Sequence, residues 1–130
     1  MAHYLDTSAL VKLVVAESET SALTAWLEGR DGEIVSSDLA RTELFRVVHR
    51  AAPERSERAR EVLDAITLIE LRTATFEQGG RLAPTALRSL DALHLAAALR
   101  LEDDLDSVVT YDERQADAAR LNGIAITAPA

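Results

Sequence analysis

His3-Tyr4-Leu5-Asp6-Thr7-Ser8-Ala9-Leu10-Val11-Lys12-Leu13 begins as a short apolar strand and becomes a helix at a single acid. Residues 2 to 6 read as the strand. Helical spacing then starts at Thr7 to Ser8 and carries Ala9, Leu10, Leu13 and Val14 on one face. An acid at such a junction is costly to bury unless it is paired, protonated or bound to a cation. Three other acids occupy comparable places: Glu43 in Ala-Arg-Thr-Glu-Leu-Phe, Asp91 in Ser-Leu-Asp-Ala-Leu-His-Leu, and Asp112 in Val-Thr-Tyr-Asp-Glu-Arg.

Outward from that junction the pattern repeats. A helix is expected over 18 to 28, with Ala22, Leu23, Trp26 and Leu27 in phase and Gly29 as its stop. A strand follows at 33 to 36, then a helix over 37 to 51 that Pro53 breaks. Residues 54 to 65 form an arginine- and glutamate-rich helix whose charges face solvent, and 67 to 71 a strand. A short helix spans 73 to 82 before the Pro84 loop. Residues 89 to 101 form a helix apolar almost all round, hence central and buried. Asp103, Asp104 and Asp106 read as a loop run ahead of a strand at 107 to 110. A helix at 112 to 122 stops at Gly123, and 124 to 127 close as a strand. Short β-branched strands alternating with helices predict an α/β fold around a parallel sheet of about five strands. Ligands bind at the carboxyl ends of such strands, where Asp6 and Asp112 fall.

The length of 130 residues suits one domain. There is no cysteine, which excludes disulfides and thiolate zinc sites. No basic segment precedes a long apolar run at the N-terminus, and the longest apolar stretch is too short to cross a bilayer. A cytoplasmic protein with no membrane partner is the expectation. The net charge of −8 argues against nucleic acid binding unless several acids share cations. Lys12 is the only lysine; every other basic side chain, histidine aside, is an arginine fork suited to phosphate.

Each acid has a plain structural explanation to set against a functional one. Asp6, Asp91 and Asp112 could cap helices or sit in first turns, and Gln115 stands at a capping-box spacing from Asp112. Glu43 has no such account. It lies inside its helix on the face of Ala40, Leu44, Val47, Val48 and Ala51, so its plain explanation is a buried pair with Arg81 or Arg88. Four such acids together suit hard divalent cations with oxygen ligands. Asp117 is a candidate fifth, with a surface role favoured. His94, three residues after Asp91, reads as a hydrogen-bonded packing residue. No nucleophile elbow or glycine-rich phosphate loop is present.

These segments resemble the PIN-domain ribonucleases, in particular the VapC-type toxins of bacterial toxin–antitoxin pairs. The matching stretches are Leu-Asp-Thr-Ser-Ala-Leu-Val-Lys-Leu at 5 to 13, Arg-Thr-Glu-Leu at 41 to 44, Leu-Asp-Ala-Leu-His-Leu-Ala-Ala-Ala at 90 to 98 and Thr-Tyr-Asp at 110 to 112. The resemblance implies a single Rossmann-like PIN domain over 1–130. Asp6, Glu43, Asp91 and Asp112 would be the catalytic and metal-binding acids for Mg²⁺ or Mn²⁺, with Asp117 as a possible addition. Ser8 and Thr110 would orient ligands or water. It also implies hydrolysis of transfer or ribosomal RNA loops, a cognate antitoxin and a homodimer. Arg41, Arg46, Arg50, Arg81 and Arg88 are the candidates for holding RNA. Leu23, Trp26 and Leu27 are candidates either for antitoxin contact or for the core. Two other classes compete. A receiver-like signalling domain needs a late-strand lysine, and none follows Lys12. A non-catalytic acidic binding module would show no Mn²⁺ affinity.

Overall fold

A computed structural model describes residues 1–130. Its strands are β1 (Ala2–Leu5), β2 (Glu33–Ser37), β3 (Thr67–Ile69), β4 (Leu105–Val109) and β5 (Ile126–Thr127). They form one sheet in the order β3-β2-β1-β4-β5, every pairing parallel. The helices are α1 (Thr7–Val14), α2 (Thr20–Glu28), α3 (Leu39–Ala51), α4 (Ser56–Asp64), α5 (Thr73–Arg81), α6 (Ser89–Leu99) and α7 (Glu113–Leu121).

Alternation along the central strands divides the core in two. Leu5 and Val109 face one side, where Leu10, Val14, Leu23, Leu44, Val48 and Leu63 from α1 to α4 cover them. Tyr4 and Val108 face the other, beneath Leu95, Ala97 and Ala98 of α6 and Ala118 and Ala119 of α7. A strand buried on both faces has no polar side to show, and all four residues of β1 are buried.

The chain leaves β1 toward β2 and β3 on one side and returns through β4 and β5 on the other. The order therefore reverses between β1 and β4, and a crevice opens beyond their carboxyl ends. Asp6 follows β1 directly, its amide donating to Val109 O of β4 at 3.2 Å. Asp112 lies just past β4. The helix of 89–101 ends at Leu99, because a short 3-10 turn at Glu102–Asp104 redirects the chain. That turn takes up Asp103 and Asp104, while Asp106 lies within β4, 3.7 Å from His3 Nε2, so these acids are not one loop run. Gly123, at φ 77, ends α7 in a conformation that side chains resist.

Leu23 is fully buried in the core, with Trp26 and Leu27 packed against it. The amphipathic face of α2 is therefore turned inward, and a partner would meet its other side.

Candidate active site

Asp6 is 4% exposed, and both of its carboxylate oxygens are engaged. Ser8 Oγ donates to Oδ1 at 2.6 Å, and the Ala9 amide donates to the same oxygen at 3.2 Å, capping α1. Thr110 Oγ1 donates to Oδ2 at 2.5 Å. Ser8 Oγ in turn accepts the Tyr111 amide at 2.9 Å, and Thr110 Oγ1 the Asp112 amide at 3.1 Å. Two hydroxyls thus tie the loop after β1 to the loop after β4. Burial pushes the Asp6 carboxyl above its usual range, against the pull of His94, Ser8, Thr110 and the Ala9 amide.

Glu43 is held by His94 rather than by an arginine. His94 Nε2 lies 2.5 Å from Glu43 Oε1, and Thr7 Oγ1 donates to the same oxygen at 2.7 Å. Behind the imidazole, Tyr4 Oη lies 2.7 Å from His94 Nδ1. Burial raises the Tyr4 hydroxyl well above its ordinary range, so it keeps its proton. The imidazole thus sits between the Tyr4 hydroxyl at Nδ1 and the Glu43 carboxylate at Nε2. Burial alone would raise the Glu43 carboxyl, but the hydrogen bond and charge of His94, with Thr7, hold it below its usual range. The sequence marked His94 as a packing residue. It is that and also the positioner of Glu43. Tyr4 and Thr7 were missed; the apolar context of Tyr4 and the position of Thr7 beside Asp6 were the available signals.

Asp91 stands in the first turn of α6 without capping it. Its carboxyl is raised first by partial burial, then by the charge of Asp112, and further by Asp6 and Glu43, while His94 pulls the other way. The four acids therefore share one electrostatic field, with Asp91 feeling the other three. Asp112 caps α7 as its sequence allowed, Oδ1 accepting the Arg114 amide at 2.9 Å and the Gln115 amide at 3.3 Å.

Hard cations take carboxylate oxygens, and the mutual repulsion at Asp91 is of the kind a cation relieves. In chemistry the donor set fits a divalent ion. No three of the Asp, Glu and His side chains converge as a ready-made ligand set, however. Three of the four acids accept hydrogen bonds from protein donors, which hold their carboxylates in place, while Glu43 Oε2 and Asp112 Oδ2 accept none.

Two clefts are each lined by one of the four acids, Asp91 in the first and Asp112 in the second, and Asp6 and Glu43 line neither. One, of about 400 Å³, is lined by Arg88, Asp91, Arg114, Asp117 and the apolar Leu87 and Leu121. The other, of about 330 Å³, has Lys12, Glu19, Tyr111 and Asp112 on its wall. Lys12 is fixed there by Glu19 at 2.9 Å and Glu17 at 3.5 Å. Of the candidate RNA-holding arginines only Arg88 lines either cleft. Arg41 pairs with Asp38 at 2.9 Å, and Arg46, Arg50 and Arg81 are exposed away from the cleft walls. Arg114 was missed, because an arginine inside a helix's first turn carries no local signal. Asp117 lines the first cleft but is 77% exposed and pairs with Arg120 at 3.3 Å.

The fold is a parallel α/β sheet with Asp6 and Asp112 just beyond the carboxyl ends of its two central strands. The PIN domain family profile matches residues 3–121, and the chain belongs to the PIN-domain family, among the VapC-type ribonucleases. Ribonuclease VapC47 of Mycobacterium tuberculosis is 41% identical over 130 residues, covering 97% of this chain and 96% of that protein. Ribonuclease VapC46 of the same species is 42% identical over 126 residues, with coverage of 97% and 96%. Among solved structures, VapBC2 from Rickettsia felis bound to a fragment of promoter DNA matches with a TM-score of 0.75 at 15% identity, covering 98% of each chain. Mycobacterium tuberculosis VapC20, a sarcin-ricin loop cleaving toxin, matches at 0.73 and 14% identity, over 89% of this chain and 94% of that one. At those identities the structures speak to the fold.

Proposed function

We propose that residues 1–130 form a single PIN domain acting as a divalent-metal-dependent endoribonuclease, the toxin of a toxin–antitoxin pair. The observation that carries this reading is the seating of Asp6 beyond the carboxyl end of β1, where Ser8 and Thr110 tie it to the loop after β4 that carries Asp112. Membership of the VapC-type ribonucleases supports the activity, and the name of VapC20 supports a ribosomal RNA loop as the substrate class. A loop presents splayed bases and bendable phosphates that an A-form helix does not. The VapBC assemblies among similar folds support a cognate antitoxin, and a homodimer completes the proposal.

Asp6, Glu43, Asp91 and Asp112 would hold Mg²⁺ or Mn²⁺. A bound ion would supply charge to neutralise the phosphate and acidify the attacking water. Ser8 and Thr110 fix the rotamer of Asp6. Glu43 stays ionised under His94 and Thr7, which suits it to a cation, and Asp91 or Glu43 would accept a proton from water. Tyr4, through His94, keeps Glu43 from swinging into solvent.

The test is cleavage of ribosomal and transfer RNA with Mg²⁺ or Mn²⁺, comparing the natural chain with Asp6→Asn and Glu43→Gln. Both variants should lose at least about a hundredfold in rate, as expected for loss of a group acting on the reacting atoms. Cutting by both variants at the natural rate would dispose of the four-acid site. Failure of the natural chain to cut any RNA or to bind Mn²⁺ would favour an acidic binding module.

A further inference from the structure

The cleft beside Asp91 has features that acid chemistry alone does not use. Its volume, about 400 Å³, lies in the range of small-ligand pockets, roughly 300–1,000 Å³. One wall is the loop and start of α6, presenting Leu87 and Arg88. The other is a single face of α7, where Arg114, Asp117, Ala118 and Leu121 follow at helical spacing. Leu121 is 63% exposed, a large apolar side chain that the fold leaves uncovered. Neither Arg88 nor Arg114 makes an ion pair, although Asp91 and Asp117 line the same cleft. Asp117 is turned to Arg120. On a chain of net charge −8, two arginines without ion pairs lining one cleft with Leu87, Ala118 and Leu121 mark a place for an anion attached to a flat apolar body.

We propose that this cleft is a nucleotide subsite: it receives the nucleotide next to the scissile phosphate, Arg88 and Arg114 holding its phosphate and stacking on its base, Leu87 and Leu121 forming the floor. The proposal rests on the ribonuclease reading above and names where its substrate sits. Guanidinium planes stack on unpaired bases and fork onto phosphate oxygens, and no aromatic ring lines this cleft to do the stacking instead. Asp91 lines the same cleft, so a nucleotide bound there lies against one of the four acids. A cleft of this size admits one nucleotide, whereas a protein helix would need a longer groove.

The experiment is titration of the ¹⁵N-labelled full chain, in EDTA, with each nucleoside 3′-monophosphate and with inorganic phosphate. Shifts should appear at Leu87, Arg88, Arg114 and Leu121, with nucleotides binding more tightly than phosphate. Arg88→Ala/Arg114→Ala should weaken nucleotide binding about tenfold or more, for two lost charge-assisted hydrogen bonds, at an unchanged melting temperature. In RNA cleavage the same variant should raise KM by more than it lowers kcat. Equal binding of phosphate and nucleotide would reduce the cleft to an anion site and overturn the proposal. So would shifts elsewhere, or a double variant that binds nucleotides normally while losing binding to a protein partner. Because the binding readout needs no metal and no catalysis, its failure is separate from a failure to cut RNA.

Discussion

Asp91→Asn should stabilise the folded protein while abolishing its activity. Asp91's carboxylate accepts no hydrogen bond from the protein; only its backbone oxygen does, from Gln115 Nε2 at 3.2 Å. The substitution therefore removes charge without removing a contact. Asp112, Asp6 and Glu43 all repel that charge, and His94 offsets part of it. Partly exposed pairs are worth about 0.2–1 kcal/mol each, so the net gain should be about 1 kcal/mol at neutral pH. For a chain of this size that corresponds to a melting temperature about 3–5 °C higher. The sign follows from linkage. The folded-state pKa lies above the ordinary Asp value, so the folded chain binds the proton more readily than the unfolded one. The destabilisation is absent below the ordinary Asp pKa, grows as pH rises from there to the raised folded-state pKa and is complete above it. Thermal melts of both proteins in EDTA should therefore differ at neutral pH and converge near about pH 4. High salt should narrow the gap. Adding Mg²⁺ should raise the melting temperature of the natural chain and leave the variant nearly unmoved. An Asp91→Asn protein that melts at or below the natural temperature in metal-free neutral buffer would refute the repulsion argument.

Two further outcomes follow from the packing. Tyr4→Phe leaves His94 Nδ1 buried without a hydrogen-bond partner, and should cost about 1–3 kcal/mol in urea unfolding along with part of the cleavage rate; a cost within experimental error would mean that Tyr4 does not support the imidazole. Leu44→Ala, at a fully buried position next to Glu43 on α3, should lose about 2–5 kcal/mol at an unchanged denaturant slope, and a much smaller loss would contradict the core assignment.

The alternation of strands and helices was legible because each signal is local. Leu5-Asp6-Thr7 shows a strand end, an N-cap and a helix start within a few residues, and the structure has β1 ending at Leu5 and Asp6 capping α1. Glu43 was likewise marked by its neighbours, an acid on a face of Ala40, Leu44 and Val48. Its partner was not. The sequence offers Arg81 or Arg88 as readily as His94, and only the docking of α6 on the sheet decides for a residue 51 positions away. Boundaries moved where a turn intervened, as at Glu102–Asp104 after α6.

What the sequence by itself determined is the set of elements, the parallel sheet they imply and the four acids at junctions and stripes. These follow from periodicities of two and 3.6 residues and from the cost of burying charge. Tertiary structure alone decided the strand order with β1 at the centre, the Tyr4–His94–Glu43 chain and the arginine-walled cleft beside Asp91. Tyr4 and His94 stand 90 positions apart, and Asp6 and Thr110 stand 104 apart. No local pattern specifies contacts between residues so distant in the chain; they are set by how two helical layers close on the faces of one sheet. The junction at Asp6 announces that an acid is buried there, and the closing of β1 against β4 gives it company.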